Sequence, residues 1–537
     1  MAPITNPPKK SIRASKPKTR SGCKTCKIRR VKCDEAKPTC NRCLKFGVTC
    51  DGYSAPTPVP TSLPPIRIIL PKGQSHFQPI VYQPAITVFQ DQQERRYFQY
   101  FREGIAPHLA GSFESDLWSH LVLQACERDD SIRHAIVAIA ALKSTANATL
   151  GHDIKYRRGG EDASLHQGFA FRQYQKALKC MRKASVGGAQ DLRTALITCI
   201  VIICFESFAG NFEFAVRQAV VGLNLVEKHL SNEDAGTTEN SSVEKEIINA
   251  FGRIDIQAMA FLDPRYPKRL QLVKDERLIL SEIPHEFISL NEARDSLISI
   301  MQKVMQFTSA MFPETFTFTG FLRLDFMMCI PLEHIDRQLM HIAELEAWRS
   351  AISPIIEDSL QASGSNNRFG AASLELMYLA GFVTTCLMRT YTGACPSTMQ
   401  FMPQFEQMVT LSEELLHHPN MNQSNATYMF EMHTICPLYA VSWYCPQKTL
   451  RRKAISLLLG PPRREALWDS VMVGKLAEWI MNLEDENYEG EYAPEHVRCT
   501  RGDILGYNMV TREAEVRSFV PARDSVEVVS RTAMLNF

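Results

Sequence analysis

Six cysteines near one end, at positions 23, 26, 33, 40, 43 and 50, constrain this chain more than any other feature. They follow the pattern Cys-x2-Cys-x6-Cys, six intervening residues, then Cys-x2-Cys-x6-Cys again, so one half-motif occurs twice. A stretch of about 28 residues buries too little apolar surface to fold unaided, and thiols at this spacing point to metal. Two separate tetrahedral zinc sites need eight ligand positions, which six thiolates fill only if two sulfurs bridge both ions. The repeat makes the bridging sulfurs equivalent and singles out the first cysteine of each half, Cys23 and Cys40. Cys26, Cys33, Cys43 and Cys50 are then the terminal ligands. Two Zn2+ ions are expected, supplying most of the folding free energy of this head. Lys24, Lys27, Arg29, Arg30 and Lys32 favour the deprotonated sulfurs. The alternative of three disulfides in a secreted module fits poorly with a start, MAPITNPPKKSIRASKPK, that has no apolar signal region.

Charge separates the chain in the same place. The first 50 residues hold 14 lysines and arginines against two acids, Asp34 and Glu35, while positions 51–537 carry a net charge of −10. A basic head on an acidic body attracts a polyanion to the head alone. After the second cysteine the two halves differ: positions 27–32 read KIRRVK and positions 44–49 read LKFGVT. Only the first has the charge to enter a groove of DNA. From Cys26 to Lys32 there is no Gly or Pro, so one or two helical turns are expected. Arg29 and Arg30 are the candidate base readers, because an arginine can fork onto O6 and N7 of guanine, and Lys27 and Lys32 are the candidate phosphate contacts. Lys9, Lys10, Lys16, Lys18 and Arg20 fit both a nuclear import signal and an arm that touches phosphates.

The stretch 23–33, CKTCKIRRVKC, resembles the fungal zinc binuclear cluster (Zn2Cys6) transcription factors. That resemblance implies a nuclear, sequence-specific RNA polymerase II transcription factor and not an enzyme. It places a helix in the major groove of double-stranded DNA, with Arg30 on a CGG-type triplet and Arg29 assisting. Pro38, two residues before Cys40, stands where the family has a proline in the loop joining the halves. The genes controlled would form a set such as a metabolic or biosynthetic cluster.

The expected organisation is a basic disordered arm at 1–22, the Zn2Cys6 DNA-binding domain at 23–50, a proline-rich linker at 51–90 and a large all-α regulatory domain at 91–537. Eight prolines fall between 51 and 88. No sustained a/d heptad follows the cysteines, so the chain either binds a single half-site or makes a homodimer through its body. Helical periodicity begins near Asp91, as in Ile132, Ile136 and Ile139, or Val216, Ala219, Val220, Leu223 and Val226, and runs to about Met481. The longest apolar run, LITCIVIICF at 196–205, is shorter than a membrane span of roughly 20 residues and reads as a buried core helix, so no membrane partner is expected. Positions 508–519 alternate like a strand. In the body, 94–102 (ERRYFQYFR), 253–258 (RIDIQA), 445–455 (CPQKTLRRKAI) and 464–469 (REALWD) resemble the fungal-specific regulatory domain found behind such clusters.

Other features carry less. His417 and His418 read as polar surface, and Cys199 and Cys204 as small core residues. Asn147, Asn240, Asn422 and Asn425 begin glycosylation-like triplets that matter only in the secretory route. The segment EDENYEGEY at 484–492 reads either as a solvated helix end or as a recruiter of coactivators and transcription machinery. Two rival functions stay open: an enzymatic body tethered to DNA, and a zinc module for RNA or protein. The body shows no phosphate loop, nucleophile elbow or paired metal-ligand motif.

Overall fold

Each half-motif winds into one short helix, and the two helices are near copies. In this computed structural model α1 spans Lys24–Ile28 and α2 spans Asn41–Phe46. The described residues are 21–53, 89–149 except 112 and 114, 159–186, 191–233, 244–261, 283–311, 334–361, 366–387, 397–418, 427–493, 501–508, 511–521 and 528–537. The basic residues at 9, 10, 16, 18 and 20, the prolines of the linker, and Asn240, Asn422 and Asn425 lie outside them. Contacts divide the chain into two compact units, Met1–Pro84 and Ala85–Phe537.

In the second unit, α3 (Gln92–Tyr100) continues through a π-helical turn into α4 (Ala106–Ala110), followed by α5 (Val122–Arg128) and α6 (Asp130–Thr149). Long helices come next: α7 (Gly159–Val186), α8 (Leu192–Ala209), α9 (Phe212–Glu233), α10 (Lys245–Phe261), α11 (Leu290–Met311), α12 (Ile335–Gln361), α13 (Asn366–Cys386) and α14 (Met402–His417). Consecutive helices pack on one another, α6 on α7, α8 on α9, α10 on α11 and α12 on α13. The apolar run is the middle of α8, whose residues 196–207 are all buried, as expected of a helix hydrophobic on every side. Asp191 caps its start and Gly210, at φ 84°, closes its end. By composition, stretches of α8 and α13 are long and apolar enough to cross a membrane, but 67% and 83% of them are buried inside the fold. Ile132, Ile136 and Ile139 face the core from α6, and Val216, Ala219, Leu223 and Val226 from α9. At Gly222 the ring of Phe251 passes so near that a Cβ would lie 2.2 Å from it, which lets α9 and α10 approach closely.

The end of the body departs from the all-helical expectation. Strand β1 (Thr427–Met429) precedes α15 (Ile435–Tyr444) and α16 (Lys448–Leu458) and pairs in parallel with β2 (Arg463–Glu465), which pairs antiparallel with β3 (Trp468–Asp469). After α17 (Ser470–Asn487) come β4 (Arg501–Asn508), β5 (Glu513–Pro521) and β6 (Val528–Asn536) in one antiparallel sheet. The alternation at 508–519 is therefore the middle strand of three, and Ala514, Val516, Ser518 and Val520 form its buried face. The body is mostly helical with a terminal β-meander.

Candidate metal centre and nucleic-acid interface

Cys23 and Cys40 stand at the N-caps of α1 and α2, where their sulfurs accept the backbone N–H of Cys26 and Cys43, each at 3.4 Å. A helix start favours negative charge, so this position suits a thiolate. The sulfurs of Cys23, Cys26, Cys40 and Cys43 form one group. Cys23 lies 3.6 Å from Cys40 and 3.8 Å from Cys43, and Cys26 lies 3.6 Å from Cys40 and 3.7 Å from Cys43. A tetrahedron with zinc–sulfur bonds of about 2.3 Å has edges of about 3.8 Å, so these four donors fit one zinc ion. The Cys40 sulfur also groups with that of Cys33, and the Cys50 thiol interacts with both Cys23 and Cys40. Cys23 and Cys40 are thus the two sulfurs adjoining both sets, as the repeat suggests for bridging ligands.

Burial pushes the Cys23 thiol up to about 12 and raises Cys26 and Cys40 as well, a shift that an adjacent cation opposes by favouring the thiolate. At Cys33 burial is outweighed by the backbone N–H donors of Cys23 and Glu35, which pull the thiol down to about 6. Backbone hydrogen bonds lower Cys50 too.

The halves are related by an offset of 17 residues, and the offset extends beyond the cysteines. Each half ends in Cys-Asp. Asp34 accepts the N–H groups of Asn41 and Arg42, at 3.1 and 3.4 Å, and so caps α2 from the opposite half. Asp51 accepts the hydroxyl of Thr25, at 2.8 Å, beside the start of α1. Tyr53 donates to the carbonyl of Ala36, at 2.8 Å, and tethers the chain leaving the cluster. These contacts pass unnoticed when only the cysteines are compared, although the repeated Cys-Asp pair is their signal. The Lys37–Pro38 bond in the joining loop is cis.

The helix expected to run through Lys32 stops at Ile28. Arg30 donates its N–H to Lys27 O, at 3.2 Å, and Val31 donates to Cys26 O, at 3.1 Å, with Arg30 in the left-handed region at φ 53°. This is a Schellman ending, and α2 repeats it with Gly47 and Val48 in the places of Arg30 and Val31. Lys27, Arg30 and Lys32 are exposed, whereas Arg29 is partly covered and lays its guanidinium 3.5 Å over the Phe46 ring.

Residues 21–59 match the Fungal Zn(2)-Cys(6) binuclear cluster domain, and residues 96–430 match the Fungal specific transcription factor domain. The chain belongs to the fungal Zn(2)-Cys(6) transcription factor family. It is similar to the Aspercryptin biosynthesis cluster-specific transcription regulator atnN of Emericella nidulans, with 26% identity over 57% of this chain and 49% of that protein. It is also similar to the transcription regulator lscL of Purpureocillium lilacinum, with 26% identity over 38% of this chain and 48% of that protein. The Zn(2)-C6 fungal-type transcription factor afumD of Aspergillus fumigatus is 30% identical over 25% of this chain and 35% of its own length. The chain spans about half the length of atnN and of lscL. No solved structure matches it. In this family the head is a two-zinc domain, and the sulfur geometry fits that stoichiometry.

In the body of this family member, several residues of the segments singled out in the sequence are held in ion pairs and helix caps. Arg253 is buried, with its Nε 2.9 Å from Glu431 and its Nη2 3.2 Å from Glu246, and Arg294 lies 4.8 Å over the ring of Phe113 beside them. Glu465 accepts the backbone N–H groups of His433, Thr434 and Ile435 and caps α15. Three of the acids of 484–492 have basic or backbone partners, while Glu486 and Glu489 are exposed. Glu484 pairs with Arg451, Asp485 with Lys448 and Arg452, and Glu491 accepts the N–H of Thr449, so the segment clamps α16. His417 ends α14 with its ring on the carbonyl of Glu413, and Cys199 and Cys204 are buried in α8.

Proposed function

We propose that this chain is a nuclear, sequence-specific regulator of RNA polymerase II transcription whose head reads CGG-type sites in double-stranded DNA. Cys23, Cys26, Cys40 and Cys43 hold one zinc ion and Cys23, Cys33, Cys40 and Cys50 the other, with Cys23 and Cys40 shared. The observation that carries the reading is a rigid four-sulfur tetrahedron from which the next turn projects Arg30 into solvent, flanked by Lys27 and Lys32. Arg30 and Arg29 face base edges, and the two lysines face phosphates. The domains are the head at 23–50, a linker, and a regulatory body that makes any homodimer and contacts coactivators or the transcription machinery. The name of atnN supports a biosynthetic gene cluster as the regulated set.

Selection of duplexes from a randomised pool with the zinc-loaded full chain tests this. CGG-type triplets are expected to be enriched, and Arg30→Ala is expected to cost about 1–3 kcal/mol on the selected duplex and little on a shuffled one. Equal binding to all duplexes, or preference for single-stranded RNA at matched salt, overturns it.

A further inference from the structure

Arg29 and Phe46 occupy the same place in the two halves, each three residues past the second cysteine, and their side chains meet across the pseudo-dyad. Phe46 is 65% exposed and does not belong to the packing around the sulfurs. A phenyl ring this exposed gains little from burial; what it touches is the flat face of a guanidinium. The carboxylates of the described head are occupied elsewhere, Glu35 by Ser21, Asp34 by the start of α2 and Asp51 by Thr25. Arg29 has therefore taken a ring instead of an acid, and its Nη1 is buried with no hydrogen-bond acceptor. Stacking uses the face of a guanidinium and leaves the N–H groups in its plane free to donate, here those of Nε and Nη2, which are not among the buried atoms. An arginine anchored in this way presents its donors with less rotamer freedom to lose on binding.

We infer that Phe46 is a positioning residue for base reading: its ring fixes the plane of Arg29 so that the Nε and Nη2 donors of that arginine meet acceptors on DNA. The second half-motif then contributes to recognition through a side chain that touches no base itself. This rests on the DNA-reading function proposed above.

The test uses the zinc-loaded full chain, the best duplex from the randomised selection and a shuffled duplex of equal length. Phe46→Leu keeps the apolar bulk and removes the π face. It is expected to retain two zinc ions per chain and an unchanged salt dependence, while the ratio of selected to shuffled affinity falls about three- to tenfold. Phe46→Tyr and Phe46→Trp are expected to restore the ratio, a rescue that a purely structural role for bulk would not need. A wild-type ratio in Phe46→Leu, or equal loss on both duplexes, overturns the inference. If Phe46→Leu loses zinc, Arg29→Lys decides: it keeps the charge without the planar fork, and an undiminished preference overturns the proposal. If the wild-type chain prefers no duplex, the regulatory function falls with it, whereas wild-type preference with an indifferent Phe46→Leu refutes the role of Phe46 alone.

Discussion

Arg30 is a residue placed against its own backbone preference. At the equivalent point of α2 stands Gly47, at φ 73°, where the left-handed turn costs nothing, whereas Arg30 adopts φ 53° with a full side chain. Arg30→Gly is expected to relieve about 1 kcal/mol of strain and make the head hold zinc several-fold tighter against a competing chelator, while preference for the selected duplex is lost. Weaker zinc retention would mean that Arg30 supports the fold. In the body the instructive residue is Asp255, fully buried on α10, with Oδ2 3.2 Å from the Nε2 donor of Gln302. Burial raises its carboxyl to about 7, above an unfolded value near 3.9. Because the folded state holds the proton more tightly, the stabilisation is complete below about pH 4 and is lost as pH rises through about 7. Asp255→Asn is therefore expected to melt above the wild type at pH 8 by clearly more than at pH 5; an equal gap at both pH values would refute the assignment.

Among elements, α15 depends most on a distant residue. Its first N–H groups have no acceptors within the helix, and Glu465 on β2 supplies them across roughly 30 positions of sequence. Glu465→Gln replaces an acceptor oxygen with a donor facing those N–H groups and is expected to destabilise the body by roughly 1–3 kcal/mol in denaturant titration. An unchanged midpoint would show that water satisfies the helix start. The short helices of the head obey the same rule with different chemistry, since sulfur caps each start and an aspartate from the other half supports it. The cap position and the Cys-Asp repeat are visible in the sequence, but which half supports which is not. A helix through Lys32 is consistent with the sequence because nothing in 26–32 forbids it; the Schellman hydrogen bonds end it first.

At the scale of the molecule, the two units stand on different physics. The head has no apolar core beyond its cysteines and Tyr53, while the body buries three tryptophans, Trp118, Trp348 and Trp468, among its long helices. Removing zinc with a chelator is expected to abolish duplex binding and unfold the head, leaving the far-ultraviolet circular dichroism and the thermal transition of the body nearly unchanged. Collapse of the helical signal would show that the body depends on the metal. The sequence by itself determined the metal and its stoichiometry, because covalent spacing and zinc valence leave few alternatives for six thiols. It determined α8 as buried, since a helix apolar on every face has no other place, and it marked the strand near 508–519. Tertiary structure alone decided that Arg29 stacks on Phe46, that Glu484, Asp485 and Glu491 clamp α16, and that Arg253 is a buried ion-pair partner. Those roles depend on which charges and rings meet across long separations, and a one-dimensional pattern of residue types carries no record of such meetings.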